Sequence, residues 1–239
     1  MVSPFTNSSI TFSYVSYHMP RVVPSKWRSA RKRVMRLCVS GDSPDVRQCA
    51  VALAEQGHQV YWLASTEAVR TLHNEAAPLT VATDILPATC QYVVPVQAYH
   101  YEGIRLVCVT QECWQQPDLH TRLFTYLCLL QRALSCAVFH TWGPWPIAYM
   151  TIYAARFLDV PAVLSYSSRL VSAKLEQSFL WGWMARQIAA AIVSSAAEQQ
   201  RLLTLAPLTS RQVHVIDPAQ PHLGQTLTAL YARLSAATP

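Results

Sequence analysis

At 239 residues, 51% hydrophobic and 13% charged, the chain is long enough for one large domain or two small ones and too apolar for a disordered protein. Its net charge of +6 sits at the front: Arg21, Lys26, Arg28, Arg31, Lys32, Arg33 and Arg36 all precede the first acid, Asp42, and the remainder is nearly neutral. No run of about 18 uninterrupted apolar residues is present, which excludes an ordinary spanning helix, and the first thirty residues lack the basic-then-apolar order of a secretory signal.

Residues 1–33 read as a flexible arm, rich in Ser, Thr and Tyr, then basic, with three prolines before Lys26. Its basic end, Lys26 to Arg36, reads either as a solvated tail or as a contact for an anionic partner, lipid or nucleic acid. Order is expected from Val34 to the end, as one domain. Met35 to Ser40 is a short apolar run suited to a buried strand. Gly41-Asp42 turns the chain, and Ser43 with Pro44 has the form of a helix start. Val46, Cys49, Ala50, Leu53 and Ala54 then share one helix face, and Gly57 ends the helix. Val60 to Ala64 is the next strand, completing a βαβ unit.

Gln91 to Val96 and Arg105 to Thr110 are expected strands, with a turn at Glu102-Gly103; Pro95 either places the first near an edge or ends it early. A helix is expected over Leu119 to Leu134. From there strands and helices alternate: strand Cys136 to His140, helix Pro146 to Leu158, strand Pro161 to Tyr166, helix Val171 to Gln187, strand Ala189 to Val193, helix Ala196 to Leu205, strand Gln212 to Ile216 and helix Gly224 to Leu234. Ser195-Ala-Ala-Glu198 has the S-x-x-E form of a capping box. This alternation predicts an α/β fold: a single Rossmann-like three-layer α/β/α sandwich with a mostly parallel sheet.

Seven cysteines, at 38, 49, 90, 108, 113, 128 and 136, form no C-x-x-C pair, and several fall in apolar runs. They read as small buried thiols in a reducing, cytoplasmic setting rather than as a metal or disulfide frame.

Ligands of such sheets bind beyond the carboxyl ends of the strands. The segments to inspect are therefore Gly41-Asp42-Ser43, His140-Thr141-Trp142-Gly143, Ser165 to Arg169 and Ser194-Ser195. Phe139-His-Thr-Trp-Gly-Pro-Trp-Pro146 is a strand-to-helix corner, and a helix start there offers free N–H groups to a phosphate or a sugar hydroxyl. Trp142 and Trp145 either face a sugar ring or lipid, or pack between helix and sheet. His140 is either a general base or a satisfied structural histidine. Arg169 either grips an anion or lies on the surface. Only one glycine occupies the first loop, so the G-x-G-x-x-G fingerprint of nicotinamide and flavin enzymes is missing. Gly-x-Ser-x-Gly is also absent, as is convincing metal-ligand spacing.

Four stretches together resemble the N-terminal, acceptor-side domain of GT-B, family-four-like glycosyltransferases. "RLCVSGDSPDVRQCAVALAEQGHQVYWLAS" is similar to their strand, glycine loop and helix leading into Gly-His-x-Val, here Gly57-His58-Gln59-Val60. "CAVFHTWGPWPIAYMTIYAARFLDVPAVLSY", "IAAAIVSSAAEQQRLL" and "RQVHVIDPA" follow in the family's order. The resemblance implies one half of a GT-B fold and sugar transfer from a nucleotide-sugar, which would be a co-substrate with no resident cofactor and no metal. It implies Asp42 or His140 as the group that positions or deprotonates the acceptor hydroxyl, with Gly41, Ser43, Thr141, Trp142, Gly143, Ser167 and Arg169 lining the acceptor side.

The family's second histidine after this strand is Trp142 here, and another frequent histidine is Ser167. The family's second, donor-binding domain with an E-x7-E element is expected to lie on a separate polypeptide. The expected partners are accordingly a donor-binding glycosyltransferase subunit, a glycan or lipid-linked acceptor and, through the basic arm, the inner face of a membrane; no nucleic acid is expected. A non-catalytic sugar-binding or scaffold subunit, and a truncated reading frame, are the other readings.

Overall fold

The computed structural model describes residues 34–83, 96–109, 118–143, 147–167 and 179–237. Along the chain these form β1 (Arg36–Ser40), α1 (Pro44–Glu55), β2 (Gln59–Ser65), α2 (Thr66–Asn74), β3 (Thr80–Val81), β4 (Val96–Tyr101), β5 (Ile104–Val109), α3 (Leu119–Leu134), β6 (Val138–Trp142), α4 (Ile147–Phe157), β7 (Ala162–Ser165), α5 (Phe179–Gln187), β8 (Ala190–Val193), α6 (Ala196–Leu205), β9 (Val213–Val215) and α7 (Leu223–Ala237).

Short runs buried along their whole length, such as β6, β7 and β8, suit the middle of a sheet covered on both faces. The nine strands lie in the order β3-β4-β5-β2-β1-β6-β7-β8-β9. All neighbours pair parallel except β3 with β4 and β4 with β5. Alternate residues of each strand feed two cores. Cys38, Phe139 and Leu164 join Leu123 of α3, Met150 of α4, Trp181 of α5 and Leu202 of α6. Val39, Val138 and Val163 join Val46 of α1, Leu72 of α2 and Leu227 of α7 on the other face. The chain therefore adopts the α/β Rossmann-like sandwich, with a mostly parallel sheet, that its alternation predicts.

The Ser195 cap forms as expected: its hydroxyl accepts the Glu198 N–H at 3.2 Å. The reciprocal arm lands one residue earlier, because the Glu198 carboxylate accepts the N–H and hydroxyl of Ser194 at 3.1 and 2.7 Å. The strand expected over Cys136–His140 is instead Val138–Trp142. Gln131 holds both backbone groups of Cys136, at 2.8 and 3.0 Å, so the turn after α3 extends further. Pairing with β7 then carries the strand to Trp142, opposite Ser165.

Helix α2, strand β3 and all of β4 beyond Val96 were not expected. The expected stretches 91–95 and 171–178 lie outside the described residues, as do Arg169 and Trp145. No described helix is long and apolar enough to cross a membrane. Of the described cysteines, Cys38, Cys49, Cys108 and Cys136 are buried and unpaired, and burial pushes the Cys49 and Cys136 thiols up to about 12.

Candidate functional site: the rim at the β1–β6 switch point

Strand β2 lies on one side of β1 and β6 on the other, so the order of the strands reverses at this pair. In open parallel sheets the crevice at such a reversal receives the ligand. Three of the expected segments meet there: Ser40 pairs with Thr141, and Trp142 pairs with Ser165, so the loops after β1, β6 and β7 emerge side by side.

The first loop is held from below. Gly41 N–H donates to Leu63 O at 3.1 Å, and Trp62 Nε1 donates to Gly41 O at 2.8 Å. Gly41 has φ of 134°, and a Cβ there would sit 3.0 Å from Trp142 Cβ and 3.1 Å from Trp142 O. The glycine thus permits close approach of two strand ends. Asp42 is exposed, and its Oδ1 accepts the Ser65 N–H at 2.8 Å, tying the β1 loop to the start of α2. Ser43 has extended backbone (φ −72°, ψ 154°) before α1 but makes no side-chain cap bond. Its Oγ is buried and has no hydrogen-bond partner.

The β6 residues turn inward. His140 is 1% exposed; its Nε2 meets Ser165 Oγ at 2.9 Å, and its Nδ1 is hydrogen-bonded to the hydroxyl of Tyr231 from α7. Its ring lies on that of Trp142, centroids 3.6 Å apart. Burial drives its pKa well below the usual imidazole value. With both nitrogens engaged, no lone pair reaches a ligand, which corrects the expectation of a base at a strand end: the strand continues two residues past His140.

Trp142 is 5% exposed and closes the floor of the rim rather than offering a platform, so the packing alternative holds. Thr141 points to the opposite face, where its Oγ1 accepts from Ser40 Oγ at 2.8 Å and Ser40 Oγ meets Thr151 Oγ1 at 3.1 Å. Gly143 is buried, and Ser167 is half-buried. The structure therefore brings Gly41, Asp42, Ser43, Trp142, Gly143 and Ser167 to one rim. It seals His140 and Thr141 beneath that rim.

Two contributors were missed. Ser65 caps α2 by accepting the Glu67 N–H at 3.2 Å, and Ser65-Thr-Glu followed by Ala68, Val69 and Leu72 carried that signal. Tyr231 had no local signal, since it meets His140 across 91 residues. A groove of about 530 Å³ runs along α1 and the start of α7. It shares Pro44 with the rim, but neither Trp142 nor Ser167 lines it. Among the described residues no group of three His, Cys, Asp or Glu is placed to hold a metal ion.

The family model described as Glycosyltransferase Family 4 matches residues 45–219, most of the chain. The chain belongs to Glycosyltransferase Family 4. Its match begins at Asp45, so the Gly41–Pro44 loop lies just ahead of it. Among solved structures, a sucrose-phosphate synthase chain from Thermosynechococcus elongatus is similar with a TM-score of 0.54 and 14% identity, covering 83% of this chain and 98% of that one. The UDP-GlcNAc 2-epimerase from Methanocaldococcus jannaschii is similar with a TM-score of 0.53 and 9% identity, over 76% of this chain and 45% of that chain. The chain thus spans about half the length of that epimerase. At these identities the likeness is one of fold: the N-terminal Rossmann-like domain of the GT-B architecture. No curated protein sequence matches the chain.

Proposed function

We propose that this family 4 domain forms the acceptor side of a sugar-transfer site, the donor side being a nucleotide-sugar-binding domain on a partner polypeptide. Family membership and an overlap with only 45% of a longer structural neighbour support this reading. The observation that carries it is Asp42, an exposed carboxylate fixed at the switch-point rim by the Ser65 N–H. In the proposed reaction the acceptor hydroxyl attacks the anomeric carbon of the donor. A new carbon–oxygen bond forms, the bond from that carbon to the diphosphate breaks, and the hydroxyl proton passes to Asp42. Charge on the departing diphosphate is neutralised by the partner.

Asp42→Asn tests this directly. The amide oxygen still accepts from Ser65 N, so thermal stability is expected to stay level. Transfer from nucleotide-sugars, assayed with the co-purified partner, is expected to fall about a hundredfold. Parent-level transfer by Asp42→Asn would remove Asp42 as the base. Ser43→Ala relieves a buried hydroxyl without a partner, so stability is expected to hold or rise by about 0.5 kcal/mol. A second reading, a non-catalytic sugar-binding subunit, is favoured by the sealing of His140 between Tyr231 and Ser165. It predicts glycan binding but no transfer with any partner.

A further inference from the structure

Helices α3, α4 and α5 cover one face of the sheet, and their outer side is unusual for a surface. Tyr149, Tyr153 and Phe157 recur every four residues, a single stripe along α4. Phe124 of α3 lies 5.1 Å from Tyr153 and 5.3 Å from Phe157, centroid to centroid. Trp183 of α5 lies 5.2 Å from Tyr149 and 5.8 Å from Tyr153. Five rings thus bridge three helices, yet Tyr153 is 41% exposed and Phe157 63%. Phe179, one turn before Trp183, is 83% exposed. Connected aromatic surface of this kind marks an interaction site.

The charges on the same helices have one sign. None of the three contains an aspartate or glutamate, whereas they carry Arg122, Arg132, Arg156 and Arg186. Asp118 and Asp159, just beyond helix ends, pair with Arg122 and Arg156, leaving a positive surplus. On the opposite face α1 carries Asp45 and Glu55, and α2 carries Glu67. The helices run from the ligand rim back to the other edge of the sheet, so the last-turn residues Arg132, Arg156 and Arg186 gather at one end of the stripe. Complementing helix dipoles accounts for arginines in last turns. It does not account for exposed rings beside them.

We propose that this aromatic face, with its surplus of arginine, docks on the headgroup layer of an anionic bilayer, with the rings in the interface and the arginines on lipid phosphates. Tyr, Trp and Phe with Arg around them is the composition that settles at a membrane interface. A second copy of the chain fits poorly, because a two-fold contact would set this cationic face against itself. The proposal stands apart from the sugar-transfer reading, since neither Asp42 nor Ser43 belongs to the face.

The test uses the full chain and sedimentation with vesicles of phosphatidylcholine, alone or mixed equally with phosphatidylglycerol. The parent is expected to bind the mixed vesicles and to leave the neutral ones. Arg132→Gln with Arg186→Gln is expected to weaken binding roughly 25-fold, each arginine near an anionic surface contributing about fivefold. Phe157→Ser with Phe179→Ser is expected to weaken it at least about tenfold, and still to do so at raised salt, where the basic residues before Val34 are screened. Both pairs alter exposed positions, so unchanged melting temperatures would verify folding. Parent-like binding by both double variants, or no binding by the parent, overturns the proposal. So does a parent dimer in size-exclusion chromatography that becomes monomeric with Phe157→Ser and Phe179→Ser, which would make the face an interface between copies.

Discussion

His140→Ala is expected to destabilise the fold by about 4 kcal/mol, the cost of emptying a ring-sized site in a close-packed core. In a domain of this size that lowers the melting temperature by roughly 12 °C. The reasons are separable. The ring is 1% exposed and stacked on Trp142, so its removal leaves a void beneath the rim. It also strips hydrogen-bond partners from two buried hydroxyls, Ser165 Oγ and the Tyr231 phenol, and each orphaned group adds about 1 kcal/mol or more. Tyr231→Phe removes one of those bonds without opening a void and is expected to cost about 2 kcal/mol. If His140→Ala melted with the parent but lost all sugar transfer, the histidine would be a working base rather than the pin between β6 and α7.

The same burial gives a signed pH dependence. The folded state holds His140 neutral because desolvation penalises the imidazolium, whereas the unfolded chain protonates it near its ordinary value of about 6.5. Protons therefore bind more readily to the unfolded state, and the stability present above about pH 6.5 is lost as pH falls below it, by at most about 1.4 kcal/mol per pH unit. His214, with its pKa lowered by burial and then by Arg233, acts in the same direction. It is common to parent and variant, so comparing the parent with His140→Gln in urea melts at pH 7 and pH 5 isolates His140. The variant is expected to be flatter over that interval.

These residues also show what the sequence made legible. The bounds of α3 and α6 coincide with expectation, because their apolar spacing is regular and a cap marks the start of α6. The alternation of apolar runs with helical faces was sufficient for the layered parallel sheet. The end of β6 was not readable. Cys136 looks like strand because it is apolar, but Gln131 holds it in a turn; Thr141 and Trp142 look like loop, but β7 pairs with them. That slip set His140 at the rim in the sequence reading and two residues beneath it in the fold. A histidine ending an apolar run carries no sign of whether a distant tyrosine will seal it. Gly41 and Asp42 were legible as a turn on the ligand side. Their partners, the Trp142 backbone and the Ser65 N–H, depend on strand order, which no local pattern encodes.

Gly224→Ala is expected to destabilise the protein by about 3 kcal/mol, against the usual helix preference for alanine of about 1 kcal/mol. Gly224 is the second residue of α7, and its backbone lies against the last turns of α1. A Cβ there would press into Ala52 O, and would lie 3.0 Å from the Ala52 carbonyl carbon and 2.9 Å from Gln56 Cγ. Backbone cannot swing aside as a side chain can, so α7 itself would have to lift. A relay opposes that movement: Met35 N–H donates to His58 Nδ1 at 3.2 Å, His58 Nε2 donates to Thr228 Oγ1 at 2.8 Å, and Thr228 donates to Gly224 O at 2.7 Å. Lifting α7 also draws Tyr231 away from His140, so the strain reaches the underside of the rim. Gly182→Ala is the matched control. Gly182 sits within α5 with nothing within 4 Å of where its Cβ would be, so there the helix preference acts alone and a gain of up to about 1 kcal/mol is expected. Opposite signs for the two glycines in parallel melts identify backbone contact between α1 and α7 as the cause; a stabilising Gly224→Ala would show that the two helices do not meet there.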